Sequence, residues 1–168
     1  MKMVLSLLVN NESGVASRIS GLFTRRGFNI EDITGGVTSN PEISRITVVF
    51  EGDEDIKDQV INQLSKLEDV IKVIDIKNNR SVIRELVLIK VKANSSNRAA
   101  INEIVNIFRC KIIDLSPETL TIELTGDQNK ISALITLMED YGIEELVRTG
   151  ITALERGDNT IDSYESSY

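Results

Sequence analysis

The strongest constraint on the fold of this chain is a six-element pattern that occurs twice along its 168 residues. Apolar alternation and helical spacing predict strand, helix, strand, strand, helix, strand in the first half, and the same order in the second. Right-handed crossovers fold such a segment into a four-stranded antiparallel sheet with two helices on one face. The sequence therefore predicts an α+β protein with two ferredoxin-like βαββαβ domains in tandem.

The first predicted domain spans residues 1–76. The apolar residues of its first helix fall at i, i+4, i+7 and i+8, and Gly27 follows a basic last turn as a typical helix stop. Its predicted elements are strands at Lys2–Val9, Phe28–Val37, Ile43–Glu51 and Val70–Ile76, a helix on Val15, Ile19, Leu22 and Phe23, and a second helix that begins at Gly52–Asp53.

The pattern restarts after a polar segment, residues 77–83, that is predicted as a linker. Residues 84–157 form the second predicted domain, and residues 158–168 are predicted as a flexible tail. The predicted elements are strands at Glu85–Lys92, Lys111–Leu115, Thr119–Thr125 and Glu144–Thr149, and helices on Ile101, Ile104, Val105 and Phe108 and on Ile131, Leu134, Ile135 and Met138.

Two matched points indicate a duplication. Arg26-Gly27-Phe28 corresponds to Arg109-Cys110-Lys111, an offset of 109 − 26 = 83, and Gly52-Asp53 corresponds to Gly126-Asp127, an offset of 126 − 52 = 74. A shorter hairpin in the second half accounts for the difference, since loops tolerate changes of length.

The composition limits the kinds of active site and ligand that the chain can have. Without any histidine, the chain lacks the commonest general acid–base group and the usual zinc ligand. A formal net charge of −7 argues against binding to nucleic acid, and the single cysteine excludes an intrachain disulfide. No apolar run is long enough to span a bilayer, and the first residues resemble no targeting peptide. We expect a cytoplasmic protein without metal or cofactor of its own, in which only carboxylates remain for catalysis.

The first strand carries apolar residues on both faces. Leu5, Leu7 and Val9 share one face, and Val4 and Leu8 share the other. An apolar face that no helix of the domain covers favours a second domain or subunit as its cover. We therefore expect a homo-oligomer, in the simplest case a homodimer.

The candidate site is the turn Asn11-Glu12-Ser13-Gly14-Val15, between the first strand and the first helix. The first N–H groups of a helix have no intrahelical partners and, with the helix dipole, attract a carboxylate such as that of a free amino acid. In the alternative interpretation, Asn11 and Gly14 only shape the turn and cap the helix. The second half has Asn94-Ser95-Ser96-Asn97 here and no counterpart of Asn29, which raises the weight of a functional role.

Other polar groups are better explained structurally. The acidic residues at 51–58 do not have the spacing of a calcium loop and suit the start of a helix. Arg25 and Arg26 suit the end of a helix, and Cys110 stands where a helix stop is expected, without an evident cationic triad partner that would activate it.

The sequence resembles the small regulatory subunit of acetolactate synthase, also called acetohydroxyacid synthase. The resemblance covers about residues 2–157, and its motifs are modest singly but specific in this order. They are Asn11-Glu12-Ser13-Gly14-Val15, Arg26-Gly27-Phe28-Asn29-Ile30, Leu67-Glu68-Asp69-Val70, Ile107 to Asp114, Arg148-Thr149-Gly150-Ile151, and Arg156-Gly157.

The resemblance implies an N-terminal ACT domain that binds a branched-chain amino acid, usually valine, at a dimer interface. It implies a non-catalytic chain that activates a large subunit carrying thiamine diphosphate, Mg²⁺ and FAD. It also implies feedback inhibition in valine, leucine and isoleucine biosynthesis. Asn11 and Gly14 would hold the effector carboxylate, Asn29 would reach the effector from the neighbouring chain, and Val15 and Ile30 would contact its aliphatic side chain.

Two positions depart from the family pattern. Gly35-Gly36 replaces a less flexible pair, and Cys110 stands where the family commonly has glycine, at a cost of about 1 kcal/mol if its φ is positive. Two other functions remain open: a stand-alone ACT-type sensor that regulates a different enzyme, and a small enzyme for which Glu12 is the best-placed carboxylate.

Overall fold

A computed structural model describes residues 1–163, and these residues form two compact units. Of the described residues, the first unit contains Met1–Ile83 together with residues 151–163, and the second contains Arg84–Gly150. Both units have the predicted ferredoxin-like fold. None of the helices in residues 1–163 has the length and apolar character needed to cross a membrane.

The first unit has six elements before the chain enters the second. Its sheet is antiparallel with strand order β2-β3-β1-β4, so β2 lies at one edge. The predicted order of elements is confirmed, and β3 has the predicted bounds. The elements are β1 (Lys2–Asn10), α1 (Val15–Arg26), β2 (Ile30–Val37), β3 (Ile43–Glu51), α2 (Glu54–Leu64) and β4 (Val70–Asp75).

The main core of the first unit lies between this sheet and its helices. Leu5, Leu7 and Val9 contribute the apolar face of β1 and are at most 1% exposed. The rings of Phe23 and Phe50 pack edge to face, with centroids 5.3 Å apart. An aliphatic core with one aromatic pair is what a chain with only 4% aromatic residues can build.

The second unit repeats the arrangement, with sheet order β6-β7-β5-β8. Leu120, Ile122 and Leu124 of β7 are at most 2% exposed and face its helices, as predicted. Its elements are β5 (Ser81–Lys92), whose first residues belong to the first unit, α3 (Arg98–Phe108), β6 (Lys111–Leu115), β7 (Thr119–Gly126), α4 (Gln128–Glu139) and β8 (Ile143–Arg148).

The chain returns to the first unit after β8. Residues 151–163, here called the strap, contain β9 (Thr152–Glu155) and a 3₁₀ turn at Ile161–Ser163. Ile151, Ala153 and Ile161 are buried in a cluster with Val4 and Leu8, on the sheet face opposite α1 and α2. The second apolar face of β1 is therefore covered by this chain itself, and it no longer argues for a partner subunit.

The strap also differs from two sequence expectations. Residues 151–157 were expected in the second domain but pack with the first unit. The expected tail, from residue 158, contains the 3₁₀ turn at Ile161–Ser163, in which Ile161 is buried at 7% exposure. The remaining tail residues, 164–168, lie outside the described residues.

The predicted linker at 77–83 has structure of its own. Asn78–Arg80 form a 3₁₀ turn, and β5 begins at Ser81, before the predicted Glu85. The strap holds this segment in place. Arg156 donates from its main-chain N–H to the Arg80 carbonyl at 2.8 Å and from Nε to the Ser81 carbonyl at 3.1 Å.

The residues at the ends of α1 and α3 show that one of the two matched points of the repeat was aligned one residue too far along the chain. Gly27 ends α1 with φ 71°, and the residue that ends α3 in the same conformation is Arg109, with φ 55°. The offset is therefore 109 − 27 = 82 rather than 83, and Asn29 corresponds to Lys111. Cys110 does not have a positive φ, so the expected strain falls on Arg109 instead. The other point is confirmed, since Asp53 and Asp127 both cap helices.

A buried ion pair network ties α2 to β4. Lys57, 7% exposed, donates from Nζ to Glu54 and to Asp75, the latter at 2.9 Å. These hydrogen bonds to Glu54 and Asp75 raise the pKa of Lys57, against a smaller opposing effect of burial. The folded chain therefore holds this proton more tightly than the unfolded chain.

Replacing Lys57 with methionine is expected to lower the free energy of unfolding by about 1–3 kcal/mol near neutral pH, because charged hydrogen bonds are lost. The contribution of Lys57 is complete below the ordinary lysine pKa of about 10.4 and disappears as pH rises through the raised folded value. Urea unfolding should show a smaller gap to wild type at about pH 11 than at pH 8. Lys66→Met, at an exposed lysine, is the control. An equal gap at both pH values would contradict the role of the ammonium charge.

Candidate functional site

The predicted turn places Gly14 at the start of α1. Gly14 has φ 87°, a conformation that favours glycine, and no side chain within residues 1–163 caps this helix. The first intrahelical bond runs from the Arg18 N–H to the Gly14 carbonyl. The N–H groups of the first turn therefore point out of the helix without intrahelical partners, an arrangement that is suited to an anion.

Asn11 is fixed by the β2–β3 turn rather than by the helix. Its Nδ2 donates to the Pro41 carbonyl at 2.8 Å, and its Oδ1 accepts from the Ser44 hydroxyl at 3.0 Å. Its main-chain N–H donates to the Glu42 carbonyl at 2.8 Å. Both ends of the amide are engaged, so Asn11 holds the two turns together and shapes the entrance to the helix.

A charged pair at the same turn was missed in the sequence. The Arg18 Nε donates to Asp69 Oδ2 at 2.6 Å, and Arg18 Nη1 would lie 3.3 Å from a Cβ built on Gly14. A guanidinium group that is paired with Asp69 thus lies close to Gly14, and its other N–H groups are of the kind that donate to a carboxylate. Arg18 follows Val15 by three residues, which is a weak sequence signal, and Asp69 is brought here only by the sheet.

Val15 and Ile30 differ in accessibility. Val15 is 3% exposed and belongs to the core, so its side chain presents little surface to a ligand. Ile30 is partly buried against the same core, at the first residue of β2. Asn29 precedes it and is exposed. Of the three, Asn29 and Ile30 have side chains that a ligand can reach.

The strand register places Asn29 far from the turn. Ile30 lies opposite Phe50 on β3, and Phe50 lies opposite Met3 near the start of β1. The other end of β1 is Asn10, seven residues from Met3, and Asn11 follows it. At about 3.3 Å per residue the two ends are about 23 Å apart. One chain therefore does not bring Asn29 to Gly14, although both are candidate residues for one ligand.

The edge strand β2 connects the two ends. Among residues 1–163, β2 pairs with β3 along one side, and Ile33 and Val37 are 41% and 58% exposed. Val37, at the end of β2, lies opposite Ser44, whose hydroxyl contacts Asn11. The outer edge of β2, with which no strand in residues 1–163 pairs, thus runs from Asn29 to the neighbourhood of the Gly14 turn.

Gly35-Gly36, the departure from the family pattern, lies in this edge strand. A Cβ on Gly35 would be 3.4 Å from the Ile46 side chain, whereas one on Gly36 would meet no atom within 4 Å. The pair borders a cavity of about 290 Å³ with Arg45, Thr47 and Ala153. A Cβ at position 35 would therefore be in ordinary van der Waals contact with Ile46, whereas one at position 36 would meet open space.

Comparison with known proteins places both halves in one family. The model described as the AHAS small subunit-like ACT domain matches residues 5–72, and the model described as the small subunit of acetolactate synthase matches residues 84–157.

Similar proteins cover almost the whole chain. The probable acetolactate synthase small subunit of Archaeoglobus fulgidus is 51% identical over 94% of this chain and 98% of that protein. The acetolactate synthase small subunit of Bacillus subtilis is 49% identical over 94% and 92%. The crystal structure of the small subunit from Thermotoga maritima has a TM-score of 0.88 at 40% identity, over 95% of this chain and 99% of that one.

Proposed function

Because this chain belongs to the acetolactate synthase small-subunit family, we propose that it activates the catalytic subunit of that enzyme and makes it sensitive to feedback inhibition by a branched-chain amino acid, with valine as the first candidate. The catalytic subunit would be its partner and would carry thiamine diphosphate, Mg²⁺ and FAD. The observation that supports an effector role is the uncapped start of α1 at Gly14, with the Arg18 guanidinium beside it.

The effector site needs two copies of the chain. Asn29 and Gly14 lie at opposite ends of one sheet, but antiparallel pairing of β2 with β2 of a second copy would bring them together. Pairing about the middle of the strand puts the second copy's Ile30 opposite Val37, which lies near Ser44 and Asn11. An edge strand with exposed apolar residues such as Ile33 and Val37 is suited to such pairing. The proposed homodimer would therefore have two equivalent effector sites.

Each residue has a distinct role in this proposal. The first N–H groups of α1 and the Arg18 guanidinium hold the effector carboxylate, and Gly14 keeps the approach to them open. Asn11 fixes the turn. The second copy's Asn29 binds a polar group of the effector, and its Ile30 contributes apolar surface to the aliphatic side chain. Val15 contributes its main-chain N–H, since its side chain is buried.

Regulation follows from linkage between two binding events. The effector shifts the catalytic subunit only by its different affinity for the active and inactive arrangements of the complex, which typically amounts to about 1–3 kcal/mol. Inhibition therefore need not be complete. The test is to mix this chain with a catalytic acetolactate synthase subunit and to measure the rate with and without valine. No change in rate on mixing, with recovery of a different enzyme from a pull-down, would favour a sensor for another enzyme.

Asn29→Ala is expected to weaken inhibition by valine about 10-fold, because a polar contact to a charged ligand contributes about 1.5–3 kcal/mol. Activation of the catalytic subunit should persist, since Asn29 is exposed and lies outside the core. Calorimetry on the isolated chain and rates of the complex measure the two effects. Asn62→Ala, at an exposed position of α2, is the matched control. Loss of inhibition and activation together would mean that Asn29 is structural.

A further inference from the structure

The strap is attached to the first unit at several points. The Ile151 N–H donates to Asp32 Oδ2, and Arg45 donates from Nη2 to the Ala153 carbonyl at 3.1 Å. Arg45 also donates from Nε to the buried Ser6 hydroxyl at 2.8 Å. Farther along, Lys72 Nζ donates to the Asp162 carbonyl at 3.1 Å. The strap is thus hydrogen-bonded directly to β2, β3 and β4, and it is linked to β1 through Arg45.

Asp32 links the strap to the strand that carries the proposed effector residues. It lies two residues after Ile30, and the pairing register of β2 and β3 shifts between these two residues. Such a bulge redirects side chains, and bulges are common next to functional sites. A ligand that moves Asn29 and Ile30 acts on the segment that positions the Asp32 carboxylate.

The strap begins where the second unit ends. Gly150 has φ 87°, a conformation that favours glycine, and it joins β8 to Ile151. Ile151 is therefore the first residue of the strap and also the donor of the hydrogen bond to Asp32 on β2. Only Thr149 and Gly150 separate Ile151 from Arg148, the last residue of β8, so the Asp32–Ile151 hydrogen bond lies close to the second unit along the chain.

We infer that the strap is the element through which effector occupancy at β2 reaches the second unit, with Asp32 as the positioning residue. This inference rests on the proposed function and adds the route by which the effector acts. The buried cluster of Ile151, Ala153 and Ile161 packs in one well-defined arrangement, so the strap responds as a body rather than residue by residue. The effector binds the arrangement in which the Asp32–Ile151 contact is positioned differently from that of the free chain.

Asp32→Ala separates binding from inhibition. Calorimetry is expected to give a valine Kd within about twofold of wild type, whereas valine inhibition of the complex with the catalytic subunit weakens about fivefold or more, the lower end of typical allosteric coupling. Asp32→Asn keeps an oxygen that can accept from the Ile151 N–H and should retain most of the inhibition. Glu31→Ala removes a carboxylate from the neighbouring exposed position of β2 and should change neither quantity.

Hydrogen exchange provides a second readout. Adding valine to the wild-type chain should change the exchange of the amides at 151–155, and this change should vanish in Asp32→Ala. If that variant does not fold, Ile161→Ala loosens the strap from its other end and should give the same split between binding and inhibition. Full inhibition in either variant, or equal loss of binding and inhibition, would overturn the strap as the route. Failure of the wild-type chain to bind valine would overturn the effector function itself.

Discussion

A Gly14→Asp chain is expected to lose valine binding by a factor of about 100 or more. The introduced carboxylate would lie beside Arg18 and the free N–H groups of α1, where the effector carboxylate is proposed to bind. Two like charges 4 Å apart repel by about 4 kcal/mol at an effective dielectric constant of 20. Calorimetry with valine and the inhibition curve of the assembled enzyme both measure the loss.

Gly14→Asn is the matched control for this experiment. Asparagine and aspartate both tolerate a positive φ better than other side chains, and they have nearly the same shape. The asparagine variant should lose less than about 10-fold in affinity, since it adds no charge. Equal losses in the two variants would show that space at Gly14, rather than the charge of the ligand, decides binding.

Mixing two defective chains tests the two-copy site. In a heterodimer of a Gly14→Asp chain and an Asn29→Ala chain, one site carries both changes and the other carries neither. The mixture should therefore regain valine binding with close to wild-type affinity at a fraction of the sites. A site formed within one chain would show no recovery, because each chain would keep its own defect.

Phe50→Ala is expected to have the largest effect on stability, a loss of about 3–5 kcal/mol. Phe50 is fully buried and packs against Phe23 at 5.3 Å between ring centroids, in a core whose other members are mostly aliphatic. Because domains are stable by only about 5–15 kcal/mol, most of the margin of the first unit would be lost. Urea unfolding followed by circular dichroism measures the change in midpoint.

Ile71→Ala is the control for the core effect. Ile71 is also an apolar residue of the first sheet, on β4, but it is 42% exposed. Its replacement should cost less than about 1 kcal/mol. Comparable midpoints for the two variants would mean that the ring pair does not hold the core together.

The elements could be predicted from local periodicity because most strands have one apolar face and the helices have an apolar stripe. Strands Ile43–Glu51 and Lys111–Leu115 were predicted with the bounds that the structure shows. The helix stop was misplaced by one residue in the second half, since Arg109 rather than a glycine takes the positive φ. Nothing in the pattern distinguishes an arginine in that conformation from its neighbours.

Long-range features could not be predicted in the same way. The short apolar alternation at 151–155 could pack against more than one apolar surface, and only the tertiary structure shows that it packs against β1. The pairing of Arg18 with Asp69 joins residues 51 positions apart, so no local signal marks it. The turn at Asn11–Gly14 was recognised as a candidate, but its distance from Asn29 depends on the register of three strands.

The strap follows the second unit in the sequence, and this position has a consequence for biosynthesis. The first sheet is complete when the ribosome has made β4, yet the residues that cover its outer face come after the whole second unit. Until Ile161 has been synthesised, Val4 and Leu8 stay exposed to other nascent chains and to chaperones. A ribosome that stalls within the second unit would therefore release a sheet with a bare apolar face, which makes such truncated products prone to aggregate.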